Sequence, residues 1–152
     1  MVPLAILHGL FAIALLGAIT HQVLAILSPA RSRGSFFGHF RGVRSTVFVD
    51  AIVALYAVTA ILGAVTYLHF GIGIKPALEN ARQWPLLGLF DIKEHFAVIG
   101  AALLPAYWLC WRDSDGDKLR TARTVLTVIL AVIVWWNFLV GHALNNILGL
   151  GG

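Results

Sequence analysis

The chain has 152 residues, 59% of them hydrophobic and only 12% charged. Soluble globular domains carry about 25% charged residues, so the composition excludes that class, and the mean hydropathy of +0.86 points to a membrane-embedded chain. One cysteine, Cys110, excludes an intramolecular disulfide and a multi-cysteine metal site.

Four stretches are long and apolar enough to cross a bilayer, whose hydrocarbon takes about 20 helical residues. They run over residues 3–27, 46–70, 86–111 and 125–148. Little is left for a soluble domain, so residues 1–152 read as a single membrane domain.

The first stretch lacks the basic region of a secretory signal and reads as a retained helix ending at Ser28-Pro29. His8 and Gln22 share one helical face, whereas His21 diverges from His8 by about 140° and should point away from a bundle interior. The loop that follows mixes Arg31, Arg33, Arg41 and Arg44 with Phe36, Phe37 and Phe40, a composition suited to the headgroup region. The second stretch is rich in β-branched residues. In water these favour strand, but in lipid the backbone must satisfy its own polar groups, which dictates helix. Thr59 and Thr66 align there, His69 lies a turn beyond, and Asp50, about one turn inside from Arg44, is expected to form a salt bridge to a loop arginine or else to serve as a proton-entry group. Residues 71–85 should hold one short helix with Pro76 in its first turn and Trp84 as a headgroup anchor.

The third stretch puts Asp91 and His95 at i and i+4, close enough to touch. Its Pro105 cannot donate to the Ala101 carbonyl and should bend the helix. The run from Asp113 to Asp117 resembles a calcium loop, but Lys118 and Thr124 stand where that loop needs glycine and glutamate, so a solvated turn is expected. The fourth stretch aligns Trp135, His142, Asn145 and Asn146 before a glycine-rich tail. Gly9, Gly17, Gly63, Gly100 and Gly141 allow close helix approach.

Charge sets the orientation. The two loops at one end, with their flanks, carry eight Lys and Arg against three at the other. The positive-inside rule makes both arginine loops cytoplasmic and both termini outside, periplasmic in a bacterial inner membrane. The basic pI of about 9.7 then reflects anionic lipid headgroups as partner, and nucleic acid is not expected. The fold class is therefore all-α: an integral membrane four-helix up-down bundle, in which helices one and three, and two and four, are diagonal pairs.

That topology gathers one histidine from each stretch at the outer end: His8, His69, His95 and His142. Ionisable rings in hydrocarbon are costly and mark candidate sites. Two neutral imidazoles from opposed helices can bind haem iron axially. His8 with His95 is the favoured pair, with the Asp91 carboxylate orienting His95. His69 with His142 is a second pair, or a partner for haem propionates. Trp135 could flank a haem or quinone edge.

In this architecture and in His8, His95, His69 and His142, the chain resembles the four-helix di-histidine membrane cytochromes b. The resemblance implies electron transfer through haem b, within a larger respiratory or photosynthetic complex or with a periplasmic carrier. It departs from two-haem members, since the other half offers only His21 and His39. A second likeness, in an early histidine and the segment GAALLPAYWLCWRD, is to four-span haem-containing protoporphyrinogen oxidases. Two other readings stand beside haem: a non-haem metal site formed by the same histidines with Asp91 and Glu94, and a cofactor-free accessory membrane subunit. An electron-transfer or accessory role is expected rather than that of a stand-alone enzyme.

Overall fold

The computed structural model describes residues 2–27, 45–113 and 118–148. The loop with Arg31, Arg33, Phe36, Phe37, His39, Phe40, Arg41 and Arg44 lies outside the described residues, as do Ser28-Pro29, Asp115, Asp117 and the glycine tail. The described chain forms α1 (Val2–Leu27), α2 (Phe48–His69), α3 (Lys75–Asn80), α4 (Trp84–Arg112) and α5 (Arg120–Leu148). No strand occurs among the described residues. A 3-10 turn, Ser45–Val47, leads into α2, and a π-helical turn, Phe70–Ile74, joins α2 to α3.

Three helical segments are long and apolar enough to cross a membrane: α1, the continuous run that contains α2, and α5. The fourth expected span falls on α4, which is less apolar than these three. Helix α4 has the length, 29 residues, but Asp91, Lys93 and Glu94 in its first half lower its hydropathy. It is unbroken through Pro105. The short helix expected before it is α3, with Pro76 in its first turn, and Trp84 is exposed.

Around the bundle α1 packs on α2 and α5, and α4 packs on the same two helices, so α1 stands opposite α4 and α2 opposite α5. Each long helix contributes one residue to an apolar layer: Ile19, Ile52, Leu104 and Leu130, all buried in one cluster with Leu15, Val49 and Val134. Lipid is as apolar as these side chains, so such contacts hold through close packing rather than release of water. Polar bonds between helices carry correspondingly more of the specificity.

One end of the bundle, here the Arg end, is rich in such bonds. The Tyr107 hydroxyl donates to Gln22 Oε1 at 2.7 Å, and Gln22 Nε2 donates to the Ser45 carbonyl at 3.1 Å. Tyr107 and Gln22 are fully buried, and removing either partner would leave a buried polar group unpaired, at a cost of about 1–3 kcal/mol. Arg123 Nε and Nη2 donate to the Cys110 and Asp113 carbonyls at 2.7 and 2.8 Å, satisfying the end of α4. The Trp111 indole donates to Thr127 Oγ1 at 3.2 Å.

Asp50 was expected to pair with a loop arginine, and Arg44, the nearest in sequence, lies outside the described residues. The observed partners are Arg112, whose Nη2 donates to both carboxylate oxygens at 2.9 and 2.8 Å, and the Trp108 indole at 3.0 Å. The cause is packing: the first turn of α2 lies beside the last turn of α4. The His21 ring, expected to point away from the bundle interior, lies tilted at 31° against Phe48 of α2 with centroids 4.7 Å apart.

The opposite end, here the His end, carries a small second core of Phe70, Leu78 and Leu87 beneath α3. The Phe70 and Phe90 rings stack with centroids 3.7 Å apart, and Tyr67 joins them. Helix α3 closes with Gln83 N–H donating to the Leu78 carbonyl and Arg82 N–H to the Glu79 carbonyl. That paired pattern needs a left-handed residue, and Arg82 supplies it at φ 54°.

Candidate functional site

The polar groups of the His end are set by the helical faces that the bundle leaves them. His8 lies on the inner side of α1. Its Cε1 comes within 3.2 Å of the position a Cβ would take on Gly63 of α2, so only glycine leaves room for the ring. The Thr59 backbone and the charges of Lys93 and Glu94 act on it. His8 Nδ1 is buried with no hydrogen-bond partner among the described residues. Asn137 of α5 has a similarly orphaned Oδ1, although its Nδ2 donates to the Ile133 carbonyl.

On α4 the inward position belongs to Lys93. Its Cε lies 3.3 Å from the Cβ position of Gly141, and its Nζ donates to Glu94 Oε1 at 2.9 Å. Phe96, one turn on, faces Trp136. His95, two residues after Lys93, is therefore rotated by about 200° from that inward line and is exposed. Its Nδ1–H donates to the Asp91 carbonyl at 2.6 Å. The expected orienting group was the Asp91 carboxylate, and the group that fills the role is the main chain of the same residue. Helical hydrogen bonding explains this, since the carbonyl four residues back lies directly below an i+4 ring.

His142 is exposed on α5. Asn146 Nδ2 donates to its Nε2 at 3.1 Å, and Phe138 stacks beneath it. Trp135, expected beside a cofactor edge, donates its indole N–H to Thr20 Oγ1 at 3.0 Å. His69 closes α2 by its backbone, and its side chain lies outside the described residues.

The interior does not offer a plate between His8 and His95. Tyr56 donates to the Ala97 carbonyl at 2.8 Å, and a Cβ on Gly100 would overlap its hydroxyl, so the α2–α4 seam is closed one layer below His8. Of the favoured pair only His8 turns inward. A haem held by both rings inside the bundle does not fit this arrangement. Among the described residues no three His, Cys, Asp or Glu side chains gather as a metal-binding group. The expected convergence of His8, His95 and His142 is thus replaced by one inward and two outward rings.

Sequence reasoning missed the Lys93–Glu94 pair and the contact of the Lys93 stem with Gly141. The available signal was a charged triplet inside an otherwise apolar stretch. The chain matches no family model, no curated protein and no solved structure.

Proposed function

We propose that the chain is an accessory subunit of a larger membrane complex, built as a four-helix up-down bundle with its Arg end cytoplasmic. Contacts between neighbours support the alternating directions. Gln22 meets Ser45 while His8 meets Gly63, and Trp111 meets Thr127 while Lys93 meets Gly141. The charge asymmetry of the loops supports the orientation.

The observation that carries the reading is the exposure of Asp91, His95, His142 and Asn146 on the outer faces of α4 and α5. Ionisable residues near the hydrocarbon usually face a bundle interior or a partner. Here the interior is sealed by Tyr56 and Gly100, so a partner subunit is the natural cover. On native electrophoresis of mildly extracted membranes, the chain should migrate well above its 16.5 kDa, and His95→Leu with His142→Leu should release it. Migration of the wild-type chain as a monomer would sink the reading.

A second reading rests on His95 alone. Nδ1 anchored to a main-chain carbonyl leaves Nε2 as an outward lone pair, the arrangement found behind ligating imidazoles. His95 could then supply one axial ligand to a b-type haem completed by a partner. The native complex should show a Soret band that His95→Ala removes. A colourless complex retaining all its subunits would leave the accessory role alone.

A further inference from the structure

Tyr56, Gly100 and Ile133 meet in one tight layer. Counted from it toward the His end, Gly63 is seven residues from Tyr56, Lys93 seven from Gly100, and Gly141 eight from Ile133. At about 3.6 residues per turn, all three stand two turns beyond that layer. His8 packs on Gly63 and the Lys93 stem on Gly141, so each of the four long helices brings a polar side chain or a glycine to one level. Asn137 lies in the turn between, on the side of α5 shared by Ile133 and Gly141. Thr59, whose backbone acts on the His8 ring, lies in the corresponding turn of α2.

The upper level is loosely packed. Around the Cβ position of Gly63 only His8 comes within 4 Å, and around that of Gly141 only Lys93, whereas Gly100 is crowded by Tyr56 and Ile133. It also holds more polar capacity than its own bonds use. His8 Nδ1 and Asn137 Oδ1 are buried with no partner among the described residues. The Thr59 hydroxyl donates to the Leu55 carbonyl at 2.7 Å and keeps its lone pairs. Lys93 turns elsewhere: its Nζ donates to Glu94 Oε1 and stands 5.2 Å from the centre of the Phe90 ring, nearer the His end of α4.

Depth brings water to this level. Lys93 is 19 residues from Arg112, about 28 Å along the helix. With Arg112 at one boundary, the ion pair is close to the other edge of a hydrocarbon about 30 Å thick. Its side chains are 16% and 32% exposed. Nearly all buried polar atoms in folded proteins have a partner, from the chain or from ordered water. A lipid acyl chain neither donates nor accepts. Water does both, so it can donate to Asn137 Oδ1 and can serve either tautomer of His8.

We propose that this level is an internal hydration site. Water enters at the Lys93–Glu94 pair, is held by His8 Nδ1 and Asn137 Oδ1, and stops at Tyr56, Gly100 and Ile133. The same water solvates the ion pair and lowers the cost of keeping two charges inside the bundle. The site follows from the membrane reading of the helices and depends on neither a partner subunit nor a haem.

The test is water-edited solid-state NMR of the isotopically labelled full chain in lipid bilayers, where magnetisation starts on mobile water and spreads to nearby side chains. Build-up at the His8 ring, the Asn137 amide and the Thr59 methyl should be several-fold faster than at the methyl groups of Ile19, Ile52 and Leu130, which are fully inaccessible to solvent. In the double variant His8→Phe with Asn137→Leu, build-up at the Thr59 methyl should fall to the rate of those three core residues, with helical circular dichroism unchanged. Wild-type build-up at His8, Asn137 and Thr59 no faster than at the core methyls would overturn the proposal. So would fast build-up at Thr59 that survives in the folded double variant.

Discussion

Single residues decide how closely these helices approach. Gly100 is the clearest case, because a Cβ there would overlap the Tyr56 hydroxyl and stand 3.0 Å from Ile133 Cγ2. Ile133 is buried core and cannot yield freely. Gly100→Ala should therefore destabilise the bundle by about 1–3 kcal/mol, the range for overpacking, read as a lower midpoint in detergent unfolding. Gly63 and Gly141 serve polar neighbours instead, giving room to the His8 ring and the Lys93 stem. An unchanged midpoint for Gly100→Ala would mean that the α2–α4 seam is looser than the Tyr56 to Ala97 bond implies.

Helical elements were largely legible in the sequence. Lipid-length apolar runs fell on α1, α2, α4 and α5, and Pro76 stands in the first turn of α3 as expected, whereas α4 begins at Trp84, ahead of the apolar run. The side chains were less legible. A helical wheel gives relative angles between residues of one helix but not which angle faces the axis. The sequence reading assigned the inward line of α4 to His95, whereas Lys93 takes it. Nor does the wheel distinguish a carboxylate from a main-chain carbonyl as the acceptor for His95. The left-handed residue ending α3 was unforeseen, since arginine rather than glycine holds it. An L side chain in that conformation costs about 1–2 kcal/mol. Arg82→Gly should accordingly raise stability by about 1 kcal/mol, seen as a higher unfolding midpoint, and a fall would mean that the Arg82 side chain contributes more than its backbone costs.

The whole molecule is polar in different ways at its two ends. The Arg end binds neighbouring helices through Gln22, Tyr107, Asp50, Arg112 and Arg123, while the His end keeps unpaired capacity at His8 and Asn137. For the proposed orientation, a cysteine introduced at Asn80 in a Cys110→Ser background should react with an impermeant thiol reagent on intact cells. One at Arg120 should react only after permeabilisation, and the reverse pattern would invert the topology. Between the ends lies the layer of Ile19, Ile52, Leu104 and Leu130, one residue from each long helix, with Ile19, Ile52 and Leu130 fully inaccessible to solvent. Burying an isolated charge among such side chains costs many kcal/mol, so this stratum is an electrical insulator. At that level the four long helices offer an ion only alkyl groups, so shedding its water there would go uncompensated.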